Sequence, residues 1–108
     1  MPFLLLCTDP RGINVALEDI CWRRHILVDH PELARGWGWI EGAIRRPDGI
    51  YRSASMPDRQ CYYRSGLHWS NTLLLAKVVV QEYRGQAWEV RTAFFCPRVS
   101  RREVKLWP

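Results

Sequence analysis

The order of apolar and polar positions divides the chain into an N-terminal part with helical signals and a C-terminal part with strand signals. Residues 2–7 form an apolar run that ends at Thr8 and the turn sequence Asp9-Pro10-Arg11-Gly12, so a strand is predicted there and a short extended piece over 13–16. From Glu18 to Asp29 there is no glycine or proline, and acids occupy the first turn. Pro31 then disfavours helical geometry at the residue before it. A helix is therefore predicted to begin near Leu17 and to end at His30. A second short helix is predicted over residues 39–46, between Gly38 and Pro47-Asp48-Gly49, with Trp39, Ile40, Ala43 and Ile44 as its buried stripe.

Strand signals follow. Residues 50–54 and 60–64 flank a turn through 55–58, and 65–71 is rich in turn formers. Residues 73–83 contain three consecutive valines and form the strongest strand signal in the chain. Arg84-Gly85-Gln86 predicts a hairpin turn, with residues 87–96 as the returning strand and 103–107 as a closing one. Strict alternation along 87–96 puts Trp88, Val90, Thr92 and Phe94 on one face and Glu89 and Arg91 on the other, so Thr92 is expected to face the helices, either as a site residue or as a core threonine whose hydroxyl bonds to backbone. Short connections imply antiparallel neighbours. The fold class is α+β, with no internal repeat.

Length and composition add limits. With 108 residues, 47% hydrophobic and 25% charged, the chain suits one globular domain spanning 1–108 and leaves no room for a second ordinary core. Six tryptophans, four tyrosines and three phenylalanines serve either a core or stacking surfaces. The formal charge is +5, supplied almost wholly by arginine, whose planar fork grips phosphate with two hydrogen bonds. A polyanion partner and an ordinary solvated surface both account for that charge. The cysteines at 7, 21, 61 and 96 form no CxxC pair and read as free thiols. Cys21 and His25 are four apart, and His30 follows, but three ligands without a second cluster are too few for structural zinc. No metal or cofactor is expected. No apolar run approaches the roughly 20 residues that cross a bilayer, and the start lacks a signal-peptide pattern, so no membrane association and a cytoplasmic location are expected.

The segments have a recognisable order, carried by His25-Ile26, His30-Pro31-Glu32-Leu33, and Ile44 through Pro47-Asp48. Tyr62-Tyr63-Arg64, the valine strand, Thr92-Ala93-Phe94, Arg102-Glu103 and Trp107 continue it. Over roughly residues 13–107 this pattern resembles the phage-associated branch of the barnase, EndoU, colicin and RelE-like (BECR) nuclease superfamily. The resemblance implies two N-terminal helices packed on a curved antiparallel β-sheet, and metal-independent RNA cleavage by a toxin- or phage-associated effector. It further implies RNA as substrate, an inhibitory protein as a partner to look for, and a site made of His25, Arg64 and Thr92. Two departures, Phe94 in place of tyrosine and a long 65–71 segment, bear on substrate choice.

The residues support that chemistry independently. Cleaving RNA through its own 2′-hydroxyl needs a base, an acid for the leaving oxygen and positive charge at the phosphate. Histidine gives or takes a proton near neutrality, arginine stabilises charge growing on the phosphate, and threonine donates one more hydrogen bond. His25 and His30 are five apart, a rotation of about 140° on a continuous helix, so His30 joins His25 only through a break before Pro31. His25 is the first catalytic candidate and His30 the second, each weighed against a packed, surface or helix-capping histidine. His68 reads as a surface residue. Arg64 reads as a phosphate clamp or an exposed strand residue. Tyr62 and Tyr63 point to opposite faces of their strand, and Tyr63 is taken as the substrate-binding one. Lys77 reads as an edge charge that blocks aggregation or as part of the phosphate site. Arg98, Arg101 and Arg102 read as an RNA-tracking cluster or a solvated turn. The alternative function is a non-catalytic nucleic-acid-binding or protein-interaction domain of the same fold.

Overall fold

The computed structural model describes residues 2–83 and 87–108, and the hairpin turn predicted at Arg84-Gly85-Gln86 lies outside the described residues. The strands are β1 (Phe3–Thr8), β2 (Asn14–Glu18), β3 (Gly49–Arg52), β4 (Arg59–Ser65), β5 (Leu75–Tyr83), β6 (Ala87–Cys96) and β7 (Val104–Trp107). They form one seven-stranded sheet in the order β1-β2-β6-β5-β4-β3-β7. Helix α1 covers residues 19–29 and α2 is Gly38–Arg45, with a 3-10 turn at Pro31–Leu33 between them.

The α+β expectation holds, with a correction to the sheet. All pairings are antiparallel except β2 with β6, which run parallel, so the sheet is mixed. The physical reason is connectivity: β1 and β2 form their own hairpin, and the chain must then pass through both helices before it returns to the sheet. A long crossover of this kind permits parallel pairing, whereas a tight turn enforces the antiparallel form.

Helix α1 ends where Pro31 requires, with His30 leaving helical geometry at φ −135° and ψ 70°. Its middle, Trp22–Ile26, is a π-helical turn in which the Leu27 N–H bonds to the Trp22 carbonyl. Cys21, Trp22 and Ile26 are buried, while Arg23, Arg24 and His25 are exposed. Helix α2 has only eight residues, too few to be stable alone in water. It is held by burial of Ile40, Ala43 and Ile44 in a core shared with Ile26, Leu33, Ile50, Tyr62, Val78 and Val80. Each large apolar side chain so buried contributes about 1.5–3 kcal/mol. Gly42 sits inside α2 with ordinary helical backbone, and a Cβ there would meet only Leu67 methyl carbons at 3.5 Å. Gly42→Ala is therefore expected to raise stability by about 0.5–1 kcal/mol, measured by denaturant unfolding.

The register divides the sheet into two faces. Gln60, Tyr62, Ala76, Val78, Val80, Val90 and Ala93 lie on the helix face. Cys61, Tyr63, Lys77, Val79, Thr92 and Phe94 lie on the other, here termed the open face. Strict alternation along β6 fails at one point. Val79 pairs with Thr92 and Val80 with Val90, leaving Arg91 as the extra residue of a β-bulge. Trp88 and Val90 therefore keep the helix face while Thr92 and Phe94 move to the open face, which corrects the expectation that all four share one side. Lys77 is likewise not an edge charge, because β5 is the central strand and the edges are β1 and β7.

Among the described residues no helix is long and apolar enough to cross a membrane. All four cysteines are free.

Candidate functional site

The nine residues singled out in the sequence do not gather in one place. His25 is exposed on α1 beside Arg23 and Arg24. Cys21, four residues earlier, points the other way and bonds through its Sγ to the Val90 carbonyl at 3.1 Å, so the two cannot hold one metal ion. Among the described residues no three His, Cys, Asp or Glu side chains gather as a metal site requires. Arg64 lies on the helix side of β4 and pairs with Asp48 at 3.2 Å, whereas Thr92 is on the open face two strands away. Arg64 and Thr92 thus stand on opposite sides of the sheet, and His25, Arg64 and Thr92 do not converge.

Three others do converge on the open face. Tyr63 and Lys77 are directly opposite each other on β4 and β5, and Lys77 is opposite Phe94 on β6. The Lys77 Nζ lies 5.3 Å from the Tyr63 ring centroid and 5.9 Å from that of Phe94. Thr92 is one pair further along the same face, opposite Val79. His30 stacks on Phe94 with centroids 5.2 Å apart and planes at 23°, and its Nδ1 lies 3.5 Å from Glu32. The break before Pro31 is what brings His30 there, since the chain leaves α1 alongside the free part of the β6 edge.

The residue that completes this cluster was not found in the sequence. After β6 the segment 97–103 folds back over the open face, setting Glu103 among the strands' side chains and the exposed Ser100 beside Lys77. Glu103 accepts from Lys77 Nζ at 3.0 Å and from the Tyr63 hydroxyl at 2.5 Å, and the Cys61 thiol lies 3.5 Å from it. Lys77 Nζ also donates to Ser100 Oγ at 3.1 Å. The Lys77 and Glu103 side chains are only 12% and 8% exposed. Arg98, Arg101 and Arg102 of the same segment point to solvent, so the polar cluster has a basic rim. In the sequence Glu103 stands out only as part of the Arg102-Glu103 pair that carries the resemblance, with no role assigned to it.

Electrostatics follow from this packing. Burial would lower the Lys77 pKa, but the contacts with Tyr63 and Glu103 outweigh it and raise it, so Lys77 stays a cation. Burial and then the bond to Glu103 raise the Tyr63 hydroxyl above its ordinary value. Burial and the nearby Glu103 charge push the Cys61 thiol up to about 12, which makes it a poor nucleophile. The arrangement can hold a fixed positive charge, a carboxylate and a hydroxyl against one another, with an imidazole beside the same phenylalanine.

A second buried polar group lies across the sheet. Asp9 accepts from the Tyr62 hydroxyl at 2.7 Å, from Arg11 Nη2 at 2.8 Å and Nε at 3.0 Å, and from the backbone N–H groups of Arg11 and Ile13 at 2.7 and 3.1 Å. Its oxygens are saturated by these donors, which marks it as a structural anchor for the turn between β1 and β2. Gly12 takes a positive φ of 85° to close that turn.

No protein family, curated protein or solved structure matches this chain.

Proposed function

We propose that this protein is a metal-independent RNA endonuclease of the toxin- or phage-associated type, acting on the open face around Lys77, Tyr63 and Glu103. The observation that carries this reading is the largely covered Lys77–Glu103 pair, bound to Tyr63, with Arg98, Arg101 and Arg102 exposed in the segment that bears Glu103. A cation held in a poorly hydrated site acts more strongly on a phosphate than one in water. A carboxylate beside it supplies the base for proton removal.

In the proposed reaction Glu103 takes the proton of a ribose 2′-hydroxyl, and the 2′-oxygen attacks the adjacent phosphorus. The bond from phosphorus to the 5′-oxygen breaks, and His30, as the general acid, gives that oxygen a proton. Lys77 stabilises the charge that grows on the non-bridging oxygens. Thr92, on the same face, donates to one of them. The products are a 2′,3′-cyclic phosphate and a free 5′-hydroxyl. Tyr63 is a positioning residue that orients Glu103. Because Ser100 lies against Lys77, the substrate enters by lifting Ser100 from Lys77. His25 and Arg64 have no part in this step.

The resemblance to the BECR superfamily agrees with this reading, although the residues differ from those it implied. A second reading rests on the same burial. In a non-catalytic nucleic-acid-binding or protein-interaction domain, the Lys77–Glu103 pair would only latch segment 97–103 to the sheet. Incubating the purified protein with a mixed RNA pool in excess chelator separates the two. Fragments ending in cyclic phosphate are expected, and RNA that stays intact would leave the latch as the pair's only role.

A further inference from the structure

Loop 66–74 joins β4 to β5 at the end of the sheet where Ser65, Leu75 and Cys96 are aligned, the same end from which segment 97–103 departs. It carries an aromatic group outside the polar cluster. Trp69 is 39% exposed, and His68 stacks on it with centroids 4.1 Å apart and planes at 23°. Phe95 supports both rings edge-on, at 4.8 Å from His68 and 5.8 Å from Trp69. The Arg35 guanidinium lies over the Trp69 ring, 5.2 Å from its centroid.

Leu67 and Phe95 anchor this group on the core, and Trp69 stands out from it. The loop is further held by local bonds, since the backbone N–H groups of Ser70 and Asn71 both donate to His68 Nδ1, at 3.2 and 3.0 Å. His68 is thereby fixed as a backing plate for Trp69. Arg35 is exposed and forms no ion pair among the described residues, so its charge is spent on the ring alone. The acids that flank Arg35 in sequence, Glu32 and Glu41, face His30 and Arg45, and Asp48 pairs with Arg64. An aromatic ring stacked on His68 and overlaid by an exposed guanidinium complements a planar base joined to a phosphate.

We propose that Trp69 and Arg35 form a nucleobase clamp for single-stranded RNA, in which a base stacks on Trp69 and Arg35 closes over it or takes the adjoining phosphate. Duplex RNA is excluded, because its bases are already stacked and paired. The inference rests on the proposed action on RNA for its choice of ligand, but binding does not require cleavage. It deepens that reading by assigning the substrate class: an unpaired strand, with one base held on the loop and the chain running toward the basic rim.

The test uses a short 2′-O-methyl oligoribonucleotide, which cannot be cleaved through its 2′-oxygen, and an abasic strand with the same number of phosphates. Affinities are measured by fluorescence anisotropy. Trp69→Ala is expected to weaken binding of the base-bearing strand about tenfold, within the range for loss of one stacked base, and to leave the abasic strand unaffected. Trp69→Phe, which retains a ring, should recover most of the loss, and this also guards against a variant that merely unfolds the loop. Equal loss for both strands would overturn the clamp, as would no loss for either or a wild-type preference for duplex. If the clamp behaves as expected while natural RNA stays intact, the nuclease reading fails and the clamp stands. If RNA is cleaved at the same rate by wild type and Trp69→Ala, and binding is unchanged, the clamp alone fails.

Discussion

Asp9→Ala is expected to destabilise the protein by about 3–4 kcal/mol, the cost of removing one partner from a buried charged network. The size follows from what is left behind. Tyr62 is fully buried and its hydroxyl loses its acceptor, while Arg11, 20% exposed at its side chain, keeps only Gln60 Oε1 at 2.8 Å. For a chain of this size the midpoint of thermal unfolding should fall by on the order of 15 °C. Tyr62→Phe should cost less, because it deletes one donor and leaves Asp9 paired with Arg11. A change below about 1 kcal/mol in Asp9→Ala would show that the turn is held by the β1–β2 hairpin alone.

The same group sets an acid limit. Burial would raise the Asp9 pKa, but the bonds from Tyr62, Arg11 and the Ile13 N–H together hold it below the ordinary carboxylate value of 3.8. A carboxylate depressed in the folded state contributes stability that is fully present above the unfolded pKa. That contribution is lost as pH falls through the folded one. The stability difference between wild type and Asp9→Ala should therefore shrink only below about pH 4.

Lys77→Met is expected to lower the rate of RNA cleavage by about 10²–10³-fold, the usual effect of deleting one preorganised donor to a developing oxyanion. Two consequences of this substitution need to be separated. Removing the cation also strands the Glu103 carboxylate, which is 8% exposed, and so costs stability. Rates are therefore compared at a temperature where circular dichroism shows the variant fully folded. A purely structural latch would give normal rates under that condition. Arg64→Ala and His25→Ala serve as comparisons on the helix side of the sheet and on the exposed surface of α1, and both should retain cleavage within a few-fold.

The strand and helix spans were legible because each is bounded by a residue that physically forces a stop. Pro31 ends α1, Pro47-Asp48-Gly49 ends α2, and Asp9-Pro10-Arg11-Gly12 closes β1. What escaped was anything that depends on register between distant segments. The Arg91 bulge is a choice made when β6 pairs with β5, and it reverses the side on which Thr92 and Phe94 emerge. The parallel match of β2 with β6 is set by a crossover whose direction periodicity does not encode. Lys77 could be read as an edge charge because strand order is invisible in a linear pattern.

The members of the candidate open-face cluster were legible in part for the same reason. Tyr63 and Lys77 were singled out as side chains, and the antiparallel pairing of β4 with β5 is what sets them opposite each other. Glu103 enters the sequence pattern only beside Arg102 and without a site role, since nothing local distinguishes an acid that folds back over a sheet from one that pairs with its arginine neighbours. His30 gained importance over His25 through its contact with Phe94, which exists only because the bulge turned Phe94 to the open face.

The most direct test of an open-face nuclease site is single-turnover cleavage of one unpaired oligoribonucleotide by wild type and Glu103→Gln in chelator, with a second oligomer carrying a 2′-deoxy sugar at the mapped cleavage position. Wild type should cut the first and fail at the substituted position of the second, and Glu103→Gln, folded to the same degree, should cut neither at a comparable rate. Cleavage by Glu103→Gln at the wild-type rate, or cutting at the 2′-deoxy position, would contradict it.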